Sequence, residues 1–403
     1  MNVAIVGGGA AGFFAAIWVK ENNPEACVTI FERGSRVLAK VRISGGGRCN
    51  FTNSGEHLKN FTKAYPRGAN FLKKAFHQFS NHDAMRWFEE NGVPYVIQSD
   101  GCIFPESQRS QSVIEALSGT ARKLGVKVVT SLGVNNIIQN DDGRFTLILG
   151  EGMRDTFDKV IVTTGGTPSP EWLAIFERLG HKIVPPIPSL FTFEIDDEEL
   201  HELTGLVVEQ AIVSIVGTKI REEGALLITH WGVSGPAVLK ASAYGARILN
   251  EASYRCDISV NWAGVVNYSL VVEELNRVVA EHGAKQISNF APYGLQNRLW
   301  RYLIAKSGIS SERRWSELGS KGINRLAERL TNDIYHVTDK GAFKDEFVTC
   351  GGISLECVDA NTMQSKVCSG LYFAGEILDI DGITGGFNFQ AAWTTGFIAG
   401  KLK

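Results

Sequence analysis

Val3-Ala-Ile-Val-Gly-Gly-Gly-Ala-Ala-Gly12 runs an apolar stretch straight into Gly7-x-Gly9-x-x-Gly12, and Phe13 to Lys20 then read as a helix. Gly7 permits the tight turn, Gly9 lets the backbone approach a pyrophosphate, and Gly12 lets the helix pack on the strand. Ala10 and Ala11, inside the glycine motif, are candidate cofactor contacts, and the N-terminus of the helix that follows supplies free N–H groups and partial positive charge for an anion. A second apolar strand, Cys27 to Phe31, ends in Glu32, followed by Arg33. Glu32 stands about twenty residues past the last glycine, where an acid accepts hydrogen bonds from a ribose diol. That acid favours FAD or NAD over NADP, whose ribose phosphate it repels.

Working outward, Lys40-Val-Arg-Ile-Ser-Gly-Gly-Gly-Arg-Cys-Asn-Phe-Thr-Asn53 offers a second contact to the same ligand. Gly45, Gly46 and Gly47 after Ser44 expose backbone N–H groups, while Lys40, Arg42 and Arg48 bring positive charge to a pyrophosphate or a planar cofactor edge. Cys49 and Asn50 follow; the cysteine reads as a buried, inert thiol more readily than as one facing a cofactor. The C-terminus supplies the other half. Gly370 to Glu376 is an apolar strand ending in Gly375-Glu376, and Asp379 to Gly386 leads into a helix rich in small residues that begins at Phe387-Asn388. In flavoproteins of the two-dinucleotide type the strand's carboxylate meets the ribitol. The helix aims its N-terminus at the flavin pyrimidine, favouring negative charge on the reduced ring. Lys159-Val-Ile-Val-Thr-Thr164-Gly165 resembles the strand that closes such a domain, and the backbone near Val134 is expected to meet the adenine.

Ser44-Gly-Gly-Gly-Arg-Cys-Asn-Phe-Thr-Asn53, Thr229-His-Trp-Gly-Val-Ser-Gly-Pro236, Thr362-Met-Gln-Ser-Lys366 and Gly375 to Asn388 closely resemble the HI0933-like (YhiN/BaiN) flavoprotein family, and the resemblance runs the length of the chain. It implies non-covalent FAD and an α/β fold: a Rossmann-like, two-dinucleotide-binding domain in two pieces, residues 1–186 and 341–403. Between them it implies a β-barrel-like insertion, 187–264, and a helical domain, 265–340. Members have been named as NAD(P)/FAD-dependent oxidoreductases, as aminoacetone oxidases, or after bile-acid dehydroxylation, so the resemblance fixes the cofactor and leaves the substrate open. Two departures touch the substrate side. Thr167-Pro-Ser-Pro-Glu-Trp-Leu173 runs almost directly into a helix where many relatives have a glycine-rich loop, and Cys102 stands where many carry arginine.

At 403 residues, with 44% hydrophobic and 21% charged side chains, the chain has the composition of a globular enzyme with two or three domains. A net charge of −2 gives no reason to expect nucleic acid or an anionic membrane as main partner. A dinucleotide strand beginning at residue 3 leaves no room for a secretory leader, and no apolar run reaches the roughly 20 residues that span a bilayer. The seven cysteines form no Cys-x-x-Cys, so neither a redox dithiol of that kind nor a zinc ribbon is indicated, and a reducing cytoplasm is expected.

Pro185-Pro-Ile-Pro188 marks a domain boundary, because consecutive prolines favour extended chain and stop helices. β-rich segments follow, then a helical pattern from Ser269 to Leu330. That stretch carries Lys285, Arg298, Arg301, Lys306, Arg313, Arg314, Lys321, Arg325 and Arg329, interleaved with Trp300, Tyr302 and Trp315. Such a pattern binds RNA or an anionic substrate in some proteins, but reads first as a solvated helical face over buried aromatics. His230 and Trp231 are the candidate catalytic, substrate-side residues: the histidine to exchange a proton, the tryptophan to cover a flat ring. The middle of the chain carries no second Gly-x-Gly-x-x-Gly between strand and helix, which excludes a glutathione-reductase layout. Electrons come either from a small substrate oxidised on the flavin or from NAD(P)H visiting it transiently to reduce an unsaturated or keto substrate. A flavin-binding RNA-modification or regulatory protein is the reading from another class. The inserted domains are expected to cover the flavin ring.

Overall fold

The computed structural model describes residues 1–56, 58–166, 169–341 and 348–403. They fall into two compact units, Met1–Ser189 with Asp345–Lys403, and Leu190–Lys344.

The first unit is built on a five-stranded parallel sheet in the order Leu371–Phe373, Lys159–Val162, Asn2–Val6, Cys27–Phe31, Lys127–Val129. Val3, Ala4 and Ile5 are fully buried, as a parallel strand with near neighbours on both sides requires. Two helices of 13 residues lie against this sheet, the first at Ala10–Asn22 and the last at Phe387–Ala399. Both are apolar on nearly every side and bury most of their residues, the pattern of helices enclosed by a core. They pack in parallel at backbone contact. A Cβ on Gly396 would lie 2.8 Å from the Ala11 carbonyl oxygen, and one on Gly400 would lie 2.7 Å from that of Ala15.

Smaller elements complete the unit. Ser80 caps the helix Asn81–Glu90 in a full capping box with Asp83, where the sequence predicts a break at Ser80-Asn81. The hairpin Val134–Gln139 and Phe145–Leu149 continues into a third strand, Met153–Phe157. Ile183–Ser189, which carries the proline cluster, is itself a strand of this unit and pairs antiparallel with Val348–Ile353. The register shifts between Val184 and Ile187, so the consecutive Pro185 and Pro186, which have no N–H to donate, sit at the irregularity.

The second unit holds a closed six-stranded barrel, Phe193–Ile195, Gly232–Ser234, Arg221–Thr229, Val207–Ile215, Cys256–Asn261 and Asp333–Lys340, with every pairing antiparallel. Residues 265–340, expected to be helical, thus also give the barrel its sixth strand. Alternating burial along Asp333–Lys340 is the period-two signature of that role. Helices Pro236–Glu251, Tyr268–His282, Asn297–Lys306 and Gly319–Thr331 complete the unit. Asp333, fully buried, accepts from Trp262 Nε1 at 3.0 Å, Lys306 Nζ at 3.0 Å, Arg329 at 2.6 Å and the Tyr335 hydroxyl at 2.5 Å. This one carboxylate therefore ties two of the helices to the barrel.

Candidate functional site: a dinucleotide cradle in the first unit

The turn between Asn2–Val6 and the first helix has no room for side chains where the fold needs close approach. Gly7 has φ +111°, and a Cβ there would lie 2.6 Å from the Thr163 carbonyl oxygen; one on Gly12 would lie 2.0 Å from that of Gly7. Gly9 is different. It caps the first helix with no side-chain partner, and a Cβ on it would meet nothing within 4 Å. At Gly46, Gly47 and Gly165 a Cβ would also meet nothing, but their φ of +67°, +84° and +81° already calls for glycine. A glycine that neither packing nor backbone conformation demands, at an uncapped helix N-terminus, suits the close approach of a phosphate-bearing ligand.

Glu32 accepts from the Gly8 amide at 2.9 Å and the Gly34 amide at 2.7 Å. Its carboxylate is thereby fixed at the end of its strand. A cleft of about 290 Å³ opens there, lined among others by Gly7, Glu32, Arg33, Val134, Thr164 and Trp172. Asn135, Ser169, Glu171 and Trp172 are cleft residues that the sequence reading missed. Ser169 accepts from the Trp172 amide as the cap of Pro170–Arg178, and the Trp172 indole donates to Thr164 Oγ1 at 3.2 Å. The signal was the Ser-Pro-Glu-Trp run, whose cap and first-turn proline place the tryptophan on the helix's opening turn. Thr167 and Pro168 of the shortened loop lie outside the described residues.

The C-terminal half of the cradle is joined to the loop after the second strand. Lys40 Nζ pairs with Glu376 Oε2 at 2.7 Å, and Glu376 Oε1 accepts from the Thr349 amide at 2.9 Å. A Cβ on Gly166 would strike the Glu376 carboxylate at 2.4 Å, and one on Gly375 would lie 2.8 Å from the Ala11 Cβ. The segment Ser44 to Asn53 meets the start of the last helix. A Cβ on Gly386 would lie 2.5 Å from the Thr52 carbonyl oxygen and 2.7 Å from Asn50 Oδ1, and Asn53 Nδ2 donates to the Gly385 carbonyl at 3.1 Å. The N–H groups of the last helix's first turn are capped by no side chain.

Several expected ligand residues have side chains engaged within the protein. Asn388 is bonded at both ends of its amide to Gly382, at 2.8 and 2.9 Å. Phe387 is buried against Phe61 and Tyr65. Ser44 donates to the Val41 carbonyl, and the Arg48 guanidinium lies over the Phe104 ring at 4.2 Å. Cys49 is fully buried, and that burial pushes its thiol up to about 12, so it is held as an inert thiol.

His230 and Trp231 belong to the second unit, on the turn between barrel strands Arg221–Thr229 and Gly232–Ser234. His230 is exposed, with its ring edge-on to Trp231 at 4.3 Å. In the basic helical stretch Trp300 and Trp315 are fully buried and stacked at 5.9 Å, and Tyr302 is buried too. Lys285, Arg298, Arg301, Arg313, Arg314, Lys321 and Arg325 remain exposed. Among the described residues no group of three or more acidic, histidine or cysteine side chains could hold a metal, and no helix is long and apolar enough to cross a membrane.

The packing of the two helices tests whether FAD fits. Ala11 lies level with Gly396, so the last helix begins about eight residues beyond the start of the first, some 12 Å along the axis at 1.5 Å per residue. Two uncapped N-termini at that spacing suit a pyrophosphate and a flavin ring joined through ribitol. By fold and family the chain is an FAD-dependent oxidoreductase with a Rossmann-type cofactor domain. The chain belongs to the HI0933-like family, whose Rossmann-domain model matches residues 1–402. A 3-dehydro-bile acid delta(4,6)-reductase of Clostridium scindens is 27% identical over 408 residues, covering 99% of this chain and 98% of the relative. Ribosomal RNA dihydrouridine synthases of Haemophilus influenzae and Escherichia coli are 29% and 28% identical, each covering 98% of this chain and 96% of the relative.

Proposed function

We propose that this protein binds FAD non-covalently in the first unit and uses it to reduce a carbon–carbon double bond conjugated with a carbonyl group. The observation that carries the cofactor reading is the open space at Gly9, whose backbone any residue could adopt, at an uncapped helix N-terminus beside the Glu32 cleft. Gly9 and the first-turn amides of the first helix take the pyrophosphate, Glu32 the ribose, and Val134 with Trp172 the adenine. Glu376 and Lys40 take the ribitol side, and the start of the last helix takes the ring.

Bound there, the flavin supplies two-electron hydride exchange. The first-turn amides of the last helix, with no acidic residue among them, stabilise negative charge beside the ring. The relatives' names support the reductive direction. A delta-reductase and a dihydrouridine synthase both add hydrogen across a double bond that a neighbouring carbonyl polarises. Hydride goes to the carbon remote from the carbonyl and a proton to the nearer one. NAD(P)H, as a transient reductant, balances the electrons, and His230 is the candidate proton carrier. The test is anaerobic: NADH or NADPH should bleach the flavin band, and a conjugated enone or a uridine should restore it. A protein that stays colourless in FAD, or a bleached flavin that no conjugated acceptor reoxidises, refutes the reading.

A second reading places the double bond on a uracil within RNA. Residues 285–329 hold nine basic and three acidic side chains, a net +6 in a chain of net −2. Seven of those basic side chains are exposed, while the aromatics between them are buried, so contact is through phosphates and insensitive to base sequence. RNA binding that weakens steeply with salt supports it, and no binding at low salt removes it.

A further inference from the structure

The loop that leads from Gly375 to the last helix carries three acids, and each is held by something outside the loop. Glu376 Oε1 accepts from the Thr349 amide at 2.9 Å. Asp379 Oδ1 accepts from the Gly351 amide at 2.9 Å, and the Asp379 amide donates to the Ile353 carbonyl at 3.0 Å. Asp381, fully buried, accepts from the Ser189 hydroxyl at 2.7 Å and from both Nε and a terminal nitrogen of Arg67. Arg67 also donates to Ser189 Oγ at 3.1 Å, which closes a three-membered cycle.

Thr349, Gly351 and Ile353 share one strand, and Ser189 ends the strand paired with it, in register with Val348. The three acids are therefore clasped by one two-stranded ribbon, with Arg67 as the only side-chain cation in the Asp381 cycle. The fit is close: a Cβ on Gly352 of the ribbon would lie 2.3 Å from the Ile377 carbonyl oxygen of the loop. The ribbon is also where the chain leaves the first unit and re-enters it.

From this we infer that Arg67 and Ser189 are positioning residues for the cofactor, acting through Asp381 to set the loop that delivers Glu376 and the start of the last helix. The inference rests on the FAD reading above. Binding of FAD to the loop and ordering of the ribbon then favour each other by the same factor, because linkage is reciprocal.

The experiment uses the full chain. FAD affinity is measured by fluorescence titration, urea stability is measured without FAD, and amide exchange over residues 183–189 and 348–353 is measured with and without FAD. In the wild type, FAD should slow exchange in the ribbon. S189A removes one hydroxyl that bonds a charged acceptor and should weaken FAD binding about five- to tenfold while abolishing most of that protection. R67M should weaken binding further, and R67K should recover part of the loss. Where R67M fails to fold, S189A decides alone. Wild-type affinity and wild-type ribbon protection in S189A overturn the inference, as does a loss of stability with affinity unchanged. A wild type that does not bind FAD at all instead sinks the cofactor reading on which the inference stands.

Discussion

Replacing Gly9 with alanine separates space reserved for a ligand from space that the fold itself needs. Gly9 has φ −90° and ψ −167°, which any residue adopts, and a Cβ there meets nothing within 4 Å. In the FAD-free protein the methyl costs little. Alanine is a poorer helix cap than glycine, but it also restricts the unfolded chain by about 0.4–1 kcal/mol, and the two effects nearly cancel. In the loaded protein the same methyl occupies the approach of the pyrophosphate. Overpacking by one methyl costs about 1–3 kcal/mol, or roughly 5- to 150-fold in Kd. Gly12→Ala is the control, because its Cβ would lie 2.0 Å from the Gly7 carbonyl oxygen and 2.8 Å from Thr163 Oγ1. That change must move backbone and should destabilise the protein with or without FAD. Urea unfolding of the FAD-free forms and fluorescence titration with FAD read the two effects. The reasoning is refuted if Gly9→Ala binds FAD like the wild type, or loses as much FAD-free stability as Gly12→Ala.

Two further outcomes follow from buried polar groups. Asp333→Asn leaves Lys306 and Arg329 facing a neutral amide; since both cations are about a quarter exposed, the cost should be about 2–4 kcal/mol in urea, below the full penalty for a broken buried pair, and a loss under about 1 kcal/mol would show that solvent already screens the cluster. His181 donates from Nδ1 to the Phe176 carbonyl and accepts at Nε2 from Ser365, and burial holds it below the ordinary histidine value. The unfolded chain therefore takes up this proton first. The histidine's contribution is fully present above about pH 7 and declines as pH falls below about 6.5, by at most about 1.4 kcal/mol per pH unit. His181→Gln should flatten the urea midpoint against pH between pH 7 and 5.5, and an unchanged slope would disprove the assignment.

What the sequence disclosed was local. Gly7 to Gly12, Glu32 at its interval and the Gly375-Glu376 ending each follow an apolar run, and the structure sets all three at the ends of strands of one parallel sheet, the first two adjacent and the third separated from them by Lys159–Val162. The strand Met153–Phe157 escaped notice because four of its five residues are polar or exposed, which erases the alternation that betrays a strand. The prolines of Ile183–Ser189 read as extended chain at a domain boundary, and the first unit's segment does end at Ser189; what they do not disclose is the paired strand with its register shift. The barrel's closing strand alternates clearly, yet follows three helices and was absorbed into them. Arg67 and Asp381 stand 314 positions apart, and no local pattern announces a partner at that distance. Asn388 and Phe387 show the converse: the motif marks both positions, but does not announce that their side chains are taken up by Gly382 and by Phe61 and Tyr65.

The parallel contact of the first and last helices has a consequence for biosynthesis. A ribosome delivers Gly9 a full 387 residues before Gly396 and 391 before Gly400. The nascent helix Ala10–Asn22 must wait through the making of the entire second unit before its apolar flank is covered, and a cofactor that needs both helices would not be captured until Gly396 and Gly400 have emerged. Stalled or C-terminally clipped products should therefore be chaperone clients that never turn yellow, however intact their glycine-rich beginning.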